Sequence, residues 1–328
     1  MRLLLLGGTG FVGRVVAEEA LARGWEVTAL NRGTQPAPGG VRVLTGDRTA
    51  PDGLAALGTG EWDAVVDTWS WAPAAVRDSA RLLNGRVGHY AYVSSRSVYD
   101  HPLVAGAGEA APVVASSPDL TGDVPYAEAK RGAELALEAE FGGRALLARA
   151  GLIIGPHEDI GRLPWWLNRI AEGGPVLAPG PRDLALQYID VRDLAAWLLD
   201  ASAARLGGPY NLVGPSGHAT MGELLEACVR ATGSDAELRW TDPERILAAG
   251  VEPWTELPIW LAPGGLYDFL HTGSVERALG AGLRCRPVAE TVESTWAWLR
   301  SIGGSAPQRS DRVRVGLDRE REAALLRG

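Results

Sequence analysis

The apolar run Arg2–Leu6 (RLLLL) passes without a spacer into Gly7-Gly8-Thr9-Gly10-Phe11-Val12-Gly13, and a stretch with helical spacing follows at once. A short buried run, a glycine turn and an amphipathic stretch read as strand, tight turn and helix. The pattern then repeats. Glu26–Leu30, Val41–Leu44, Ala64–Asp67, His89–Ser94 and Ala145–Ala148 have strand character, while Phe11–Arg23, Pro73–Asn84 and Pro125–Phe141 have helical character. Strands that alternate with helices predict a parallel sheet with helices on both faces.

The expected fold is therefore α/β, a Rossmann-type doubly wound parallel sheet over residues 1–155. Beyond Gly155-Pro156 prolines, glycines and tryptophans become denser, as in Trp165-Trp166 and the stretch GGPVLAPGP (173–181). Residues 156–302 read as a smaller mixed lobe that binds substrate, with helices at Asp190–Ala201 and Met221–Thr232 and a return of the chain to the sheet around 185–205. In the tail, 303–328, Gly303–Asp311 reads as a loose polar linker and Leu317–Leu326 as a short terminal helix.

With 328 residues the chain has the length of about two domains. No stretch approaches the ~20 apolar residues of a membrane span, and MRLLLL is too short for the apolar core of a signal peptide. The net charge of −8 argues against nucleic acid or an anionic membrane as partner. Cys228 and Cys285 stand in unrelated contexts, which fits a reducing cytoplasm. The five histidines show no ligand spacing, so no metal is expected.

Glycines at 7, 10 and 13 let backbone amides approach a pyrophosphate at a helix N-terminus. An ordinary tight turn uses glycines too, but later residues favour a dinucleotide. Thr9, Phe11 and Val12 line the same turn, and Asn31-Arg32 follow the second strand. An acidic residue there would receive the ribose hydroxyls of NAD; an arginine suits the extra phosphate of NADP. NADP(H) is thus the preferred cofactor, with NAD(H) the alternative. Asp47 in TGDR is placed for the adenine amino group with Arg48 beside it, and Asp67, Thr68 and Trp69 close the fourth strand beside the cofactor.

Tyr126 and Lys130 are four residues apart, so on a helix they share a face. A free phenol titrates at about 10, and a neighbouring ammonium favours its ionised form. Such a pair can move a proton to match a hydride. Ser95 ends its strand at the edge where open parallel sheets bind ligands, so its hydroxyl can hold a substrate oxygen.

GGTGFVG, YVSSRSVY (92–99) and YAEAK (126–130) together resemble the extended short-chain dehydrogenase/reductases, the NAD-dependent epimerase/dehydratase family. RAGLIIGP (149–156), YIDVRDLA (188–195) and LGAGLRCRPVAETVESTWAWL (279–299) look like further landmarks, so the resemblance spans roughly residues 2 to 300. It implies Ser95 and Tyr126 on the substrate oxygen, Lys130 on the nicotinamide ribose, and a homodimer by analogy. Two departures bear on substrate. The family's dehydratases carry an acidic pair directly after the residue matching Ser95, where this chain has Arg96 and Ser97. Sugar-nucleotide members carry an arginine where this chain has Leu186, a loss that Arg182, Arg284 or Arg286 could offset. The NRG after the second strand also resembles the branch near chloroplast stem-loop RNA-binding proteins.

Trp69 and Trp71 follow the fourth strand on the rim that bears Ser95; with Arg96, Ser97 and Trp165 they are the candidate substrate contacts. Three readings follow. The first is an NADP(H)-dependent oxidoreductase acting on a secondary alcohol or ketone of a small molecule. The second is an epimerase that passes through a transient keto sugar or sugar nucleotide. The third, of another class, is a non-catalytic dinucleotide sensor or RNA-associated protein; the intact Ser95, Tyr126 and Lys130 argue against it.

Overall fold

Leu3 to Leu6 are each at most 1% exposed, because β1 (Arg2–Leu6) runs through the middle of a sheet covered on both faces. The structure, a computed structural model, describes residues 1–327. The chain continues through α1 (Phe11–Ala22), β2 (Glu26–Asn31), β3 (Arg42–Thr45), β4 (Trp62–Asp67), α2 (Ala74–Leu83), β5 (Val87–Ser95), α3 (Tyr126–Phe141) and β6 (Ala145–Ala150). Then come β7 (Leu152–Ile154), α4 (Arg162–Ala171), β8 (Pro175–Pro179), β9 (Ala185–Leu186), β10 (Tyr188–Asp190), α5 (Val191–Ala203) and β11 (Gly208–Leu212). The remainder comprises β12 (Ala219–Thr220), α6 (Met221–Thr232), β13 (Glu237–Thr241), α7 (Pro243–Ala248), α8 (Gly265–His271), α9 (Glu276–Gly280), α10 (Val288–Ser301) and α11 (Arg319–Arg327).

Seven parallel strands form the central sheet in the order β11-β6-β5-β4-β1-β2-β3. Strand side chains alternate between faces. Leu3 and Leu5 therefore join α1 and α5 in one core, and Leu4 and Leu6 join α2 and α3 in the other. The strand order reverses at β1, where a crevice opens beyond the strand ends. Leu6 stands opposite both Leu30 and Asp67, so β1, β2 and β4 end level there.

The main elements lie within a few residues of their expected bounds. β5 starts at Val87 and keeps Ser95 as its last residue, and the terminal helix runs Arg319–Arg327 rather than Leu317–Leu326. The pairs β7–β10, β8–β13 and β9–β12 are not foreseen; β7, β9, β10 and β12 are too short for a two-residue period to show, and β8 is an unbroken apolar run between two prolines. A second core under α4, α6 and α10 contains Trp166 and Trp260, both fully buried.

Two buried polar centres support the rim. The Asp67 carboxylate receives Arg48 through both oxygens at 2.7 and 2.8 Å, the Tyr90 hydroxyl at 2.7 Å and the Trp69 amide at 2.9 Å. Burial and that carboxylate hold the Tyr90 phenol well above its ordinary pKa. The second centre is Arg96, which donates to Gln187 Oε1 at 2.8 Å and to the carbonyls of Phe269 and Leu270 at 2.7 and 3.1 Å. The Gln187 amide in turn donates to Nδ1 of His271 at 3.0 Å, so the turn after β5 is tied to α8.

Asp67→Asn should lower stability by about 3–5 kcal/mol, since it leaves the Arg48 guanidinium buried without a counter-charge. Urea unfolding checks this, and an unchanged midpoint would show the pair to be dispensable. Burial pushes the His271 pKa down to about 4, and the Arg96 charge acts the same way. Between that value and the ordinary ~6.5 the unfolded chain binds the extra proton, so stability falls as pH drops through this window. From pH 7 to pH 5 the wild type should lose roughly 1–2 kcal/mol more than His271→Asn.

Candidate active site

Gly7 adopts φ +101°, and a methyl group at Gly13 would come within 2.0 Å of the Gly7 carbonyl oxygen. The start of α1 therefore packs backbone to backbone against the turn that leaves β1. Thr68 seats on the other side, its amide donating to the Leu6 carbonyl at 3.1 Å. Gly10, the N-cap of α1, faces open space, and the first turn carries neither a side-chain cap nor an acidic residue. Its amides are available to an anion, and the cradle fits a dinucleotide pyrophosphate. Thr9, Phe11 and Val12 are half-buried or more open along the same turn.

At the end of β2 the Asn31 Oδ1 accepts the Gly33 amide at 2.8 Å, while its buried Nδ2 has no partner. Arg32 is exposed next to it. Asp47 accepts the amide and hydroxyl of Thr49 at 3.0 and 2.7 Å. Those bonds, helped by the Arg32 charge, hold its carboxyl below the usual range. Arg48 and Asp67, expected beside the cofactor, turn inward and are committed to each other. The spacing TGDR does not reveal this, since either charge could equally have faced the crevice.

Lys130 is the chain's one lysine and is 2% exposed. Its ammonium donates to the carbonyls of Trp69 at 2.6 Å and Val93 at 2.8 Å, and stands 4.8 and 5.9 Å from the ring centres of Tyr92 and Tyr126. Burial pushes its pKa down to about 7 against the opposing pull of Asp67 and Glu134, while Arg309 and Arg312 push it further down. Tyr126 opens α3 and is 38% exposed, one turn before Lys130. α3 packs on β5 and on the turn Arg96–Val98, which brings the start of α3 to the end of β5. There Ser95 Oγ accepts the Ser97 amide and donates to the Ser97 hydroxyl, both at 3.1 Å. The underside of α3 is anchored by Glu134, which accepts Ser94 at 2.7 Å and Arg149 at 2.9 Å. Nothing in the sequence pattern marks that anchor.

Trp69 and Trp71 meet edge to face with ring centres 4.9 Å apart, and Trp71 is 45% exposed. Ser97 borders the rim, but the Arg96 guanidinium turns inward, its two terminal nitrogens on internal partners and its buried Nε without one, and does not reach into the crevice. Trp165 packs edge-on to Trp166 and lies against Gly316. Leu186 is fully buried, and Arg182 and Arg286 pair with Glu226 and Asp193.

The segment 303–311, expected to be a loose linker, is docked. The Arg309 amide donates to the Asp159 carbonyl at 3.1 Å, and Asn168 donates to the Gly304 carbonyl at 2.9 Å. Arg309 lies 5.5 Å from the Trp71 ring and Arg312 lies 5.3 Å from the Tyr126 ring. Cation–π contact to two rim aromatics holds a segment whose polarity alone suggests solvent. No helix among the described residues is long and apolar enough to cross a membrane.

The chain is 27% identical over 286 residues to dTDP-6-deoxy-L-talose 4-dehydrogenase (NAD(P)(+)) of Kitasatospora kifunensis, covering 81% of this chain and 89% of that one. Among solved structures, the Bordetella bronchiseptica enzyme WbmH in complex with NAD+ superposes with a TM-score of 0.67 at 18% identity, over 92% of this chain and 99% of that one. Thermus thermophilus UDP-glucose 4-epimerase complexed with NAD gives 0.63 at 22% identity, over 92% and 99%. These two likenesses show the fold. The sequence profile of the NAD dependent epimerase/dehydratase family matches residues 3–214, and with it the glycine cradle, the serine and the tyrosine–lysine pair: the chain belongs to that family.

Proposed function

We propose that the protein is an NADP(H)-dependent oxidoreductase that interconverts a secondary alcohol and a ketone of a small molecule. One observation carries the reading: the chain's single lysine is buried beneath the tyrosine that opens α3, pinned to the loop after β4 and to the last residues of strand β5. A bound nicotinamide dinucleotide would supply or accept the hydride. Ser95 holds the substrate oxygen, and Tyr126 gives it a proton during reduction or takes one during oxidation. Positive charge on Lys130 stabilises the negative charge that develops on the phenol oxygen as the proton leaves.

The substrate sits between the sheet rim and the lobe 156–302, against Trp69, Trp71 and Ser97. Arg32 reads the 2′-phosphate of NADP, and Asn31 and Asp47 meet the rest of the adenosine end. The talose relative is by name an NAD(P)(+) enzyme and a 4-dehydrogenase, which supports dehydrogenation and leaves both dinucleotides in play. Dehydration is disfavoured because Arg96 and Ser97 stand where an acid would be needed. A transient oxidation within an epimerase cycle would use the same proton transfer; the fold likenesses support it no further. The reading includes a homodimer, by analogy with relatives of this fold, and a cytoplasmic location, in keeping with two cysteines in unrelated contexts.

Tyr126→Phe should lower turnover of a ketone panel by about 100- to 10,000-fold, followed by NADPH absorbance, with dinucleotide affinity retained. Unchanged turnover would remove Tyr126 from the mechanism. Arg32→Ala should weaken NADP(H) by about 1–3 kcal/mol and leave NAD(H) nearly untouched. Equal losses for the two would refute the phosphate assignment.

A further inference from the structure

The tail returns to the catalytic rim and adds charge there. Residues 308–312 lie against 159–161: Arg309 bonds the Asp159 carbonyl, and the Gln308 amide group abuts Gly161. The next residue is Arg162, at the start of α4. Its guanidinium stacks 5.2 Å from the Trp254 ring, and its buried Nε has no hydrogen-bond partner. Arg312 also has no side-chain partner among the described residues, and its guanidinium covers the Tyr126 ring.

The neighbouring carboxylates do not satisfy these two arginines. Asp311 is bidentate with Arg309 at 3.0 and 2.6 Å. Glu158 accepts the amides of Arg162 and Leu163 at 2.7 and 3.2 Å, and burial pushes its pKa up to about 7. Asp159 is half-buried next to Arg309, and its desolvation raises its pKa against the pull of that arginine. A guanidinium offers five donors and remains charged. To hold one buried with an unpaired Nε is unfavourable unless an anion completes it.

We propose that Arg162 and Arg312 form an anion subsite at the tyrosine, and that the substrate turned over there carries a carboxylate or a phosphate within reach of the reacting carbon. The proposal rests on the oxidoreductase reading for the identity of the ligand as substrate. It makes the tail 303–318 a wall of the binding site and Arg312 a specificity-determining residue. The subsite lies on elements other than β9, where Leu186 stands, and so does not restore the missing arginine.

The test uses the whole chain saturated with NADP+, so that the glycine cradle is filled. Inorganic phosphate and, separately, malonate are titrated against sodium chloride at equal ionic strength, read by tryptophan fluorescence. Saturable binding of one or both, weakened at least about tenfold in Arg312→Gln and in Arg162→Gln, supports the subsite. Saturation by phosphate alone assigns a phosphate, and by malonate alone a carboxylate. No saturation beyond the chloride control, or equal affinity in wild type and Arg312→Gln, overturns it. Arg312 is exposed, so its variant should keep the wild-type melting temperature even if Arg162→Gln fails to fold. If wild type binds no dinucleotide, the oxidoreductase reading fails by itself, and the dependence of anion binding on Arg312 still decides the subsite.

Discussion

The carboxylate of Asp67, at the end of β4, is the point from which the rim is built. It neutralises Arg48, takes the Tyr90 hydroxyl and fixes the Trp69 amide. The Trp69 carbonyl, oriented from its other side, then receives both Lys130 at 2.6 Å and the Tyr92 hydroxyl at 3.0 Å. A buried ion pair in the core is thus connected, through one peptide group, to the ammonium beneath Tyr126. The energetic logic is that of a fully satisfied buried network: every member has partners, so each fixes the geometry of the next.

Much of the fold is legible in the sequence because a sheet covered on both faces demands continuous apolar strands, and amphipathic helices between them leave a clear period. β1 and α6 illustrate this; Met221–Thr232 has both expected bounds. β7, β9, β10 and β12 are not legible, since two or three residues cannot display a period. In the site, Gly7, Gly13, Tyr126 and Lys130 announce themselves by spacing, which is a local property. Which way a charge faces is not local. Arg48 and Arg96 stand next to motif residues in the chain yet turn their guanidiniums inward, whereas Arg162 and Arg312, remote in sequence, come within each other's electrostatic reach. Tail composition misleads for the same reason: a segment rich in Gly, Ser and Arg lacks a core of its own but finds aromatic faces on another element.

The chain is acidic as a whole, with a net charge of −8, yet the rim around Tyr126 collects Lys130, Arg162, Arg309 and Arg312. A local field opposite in sign to the global one lets the crevice attract an anionic small molecule. It also couples the tail to Lys130, since Arg309 and Arg312 press on its ionisation across the rim.

Having its one lysine buried under the site gives this protein an unusual chemical surface. Arginines supply the exposed cations, and among the described residues no side-chain amine is exposed. An amine-directed label therefore leaves the rim unmodified while it stays closed. Acylation at residue 130 would require Trp69 and Val93 to release the ammonium first. The rate of that acylation therefore reports how often the rim opens, without any probe having to be engineered into it.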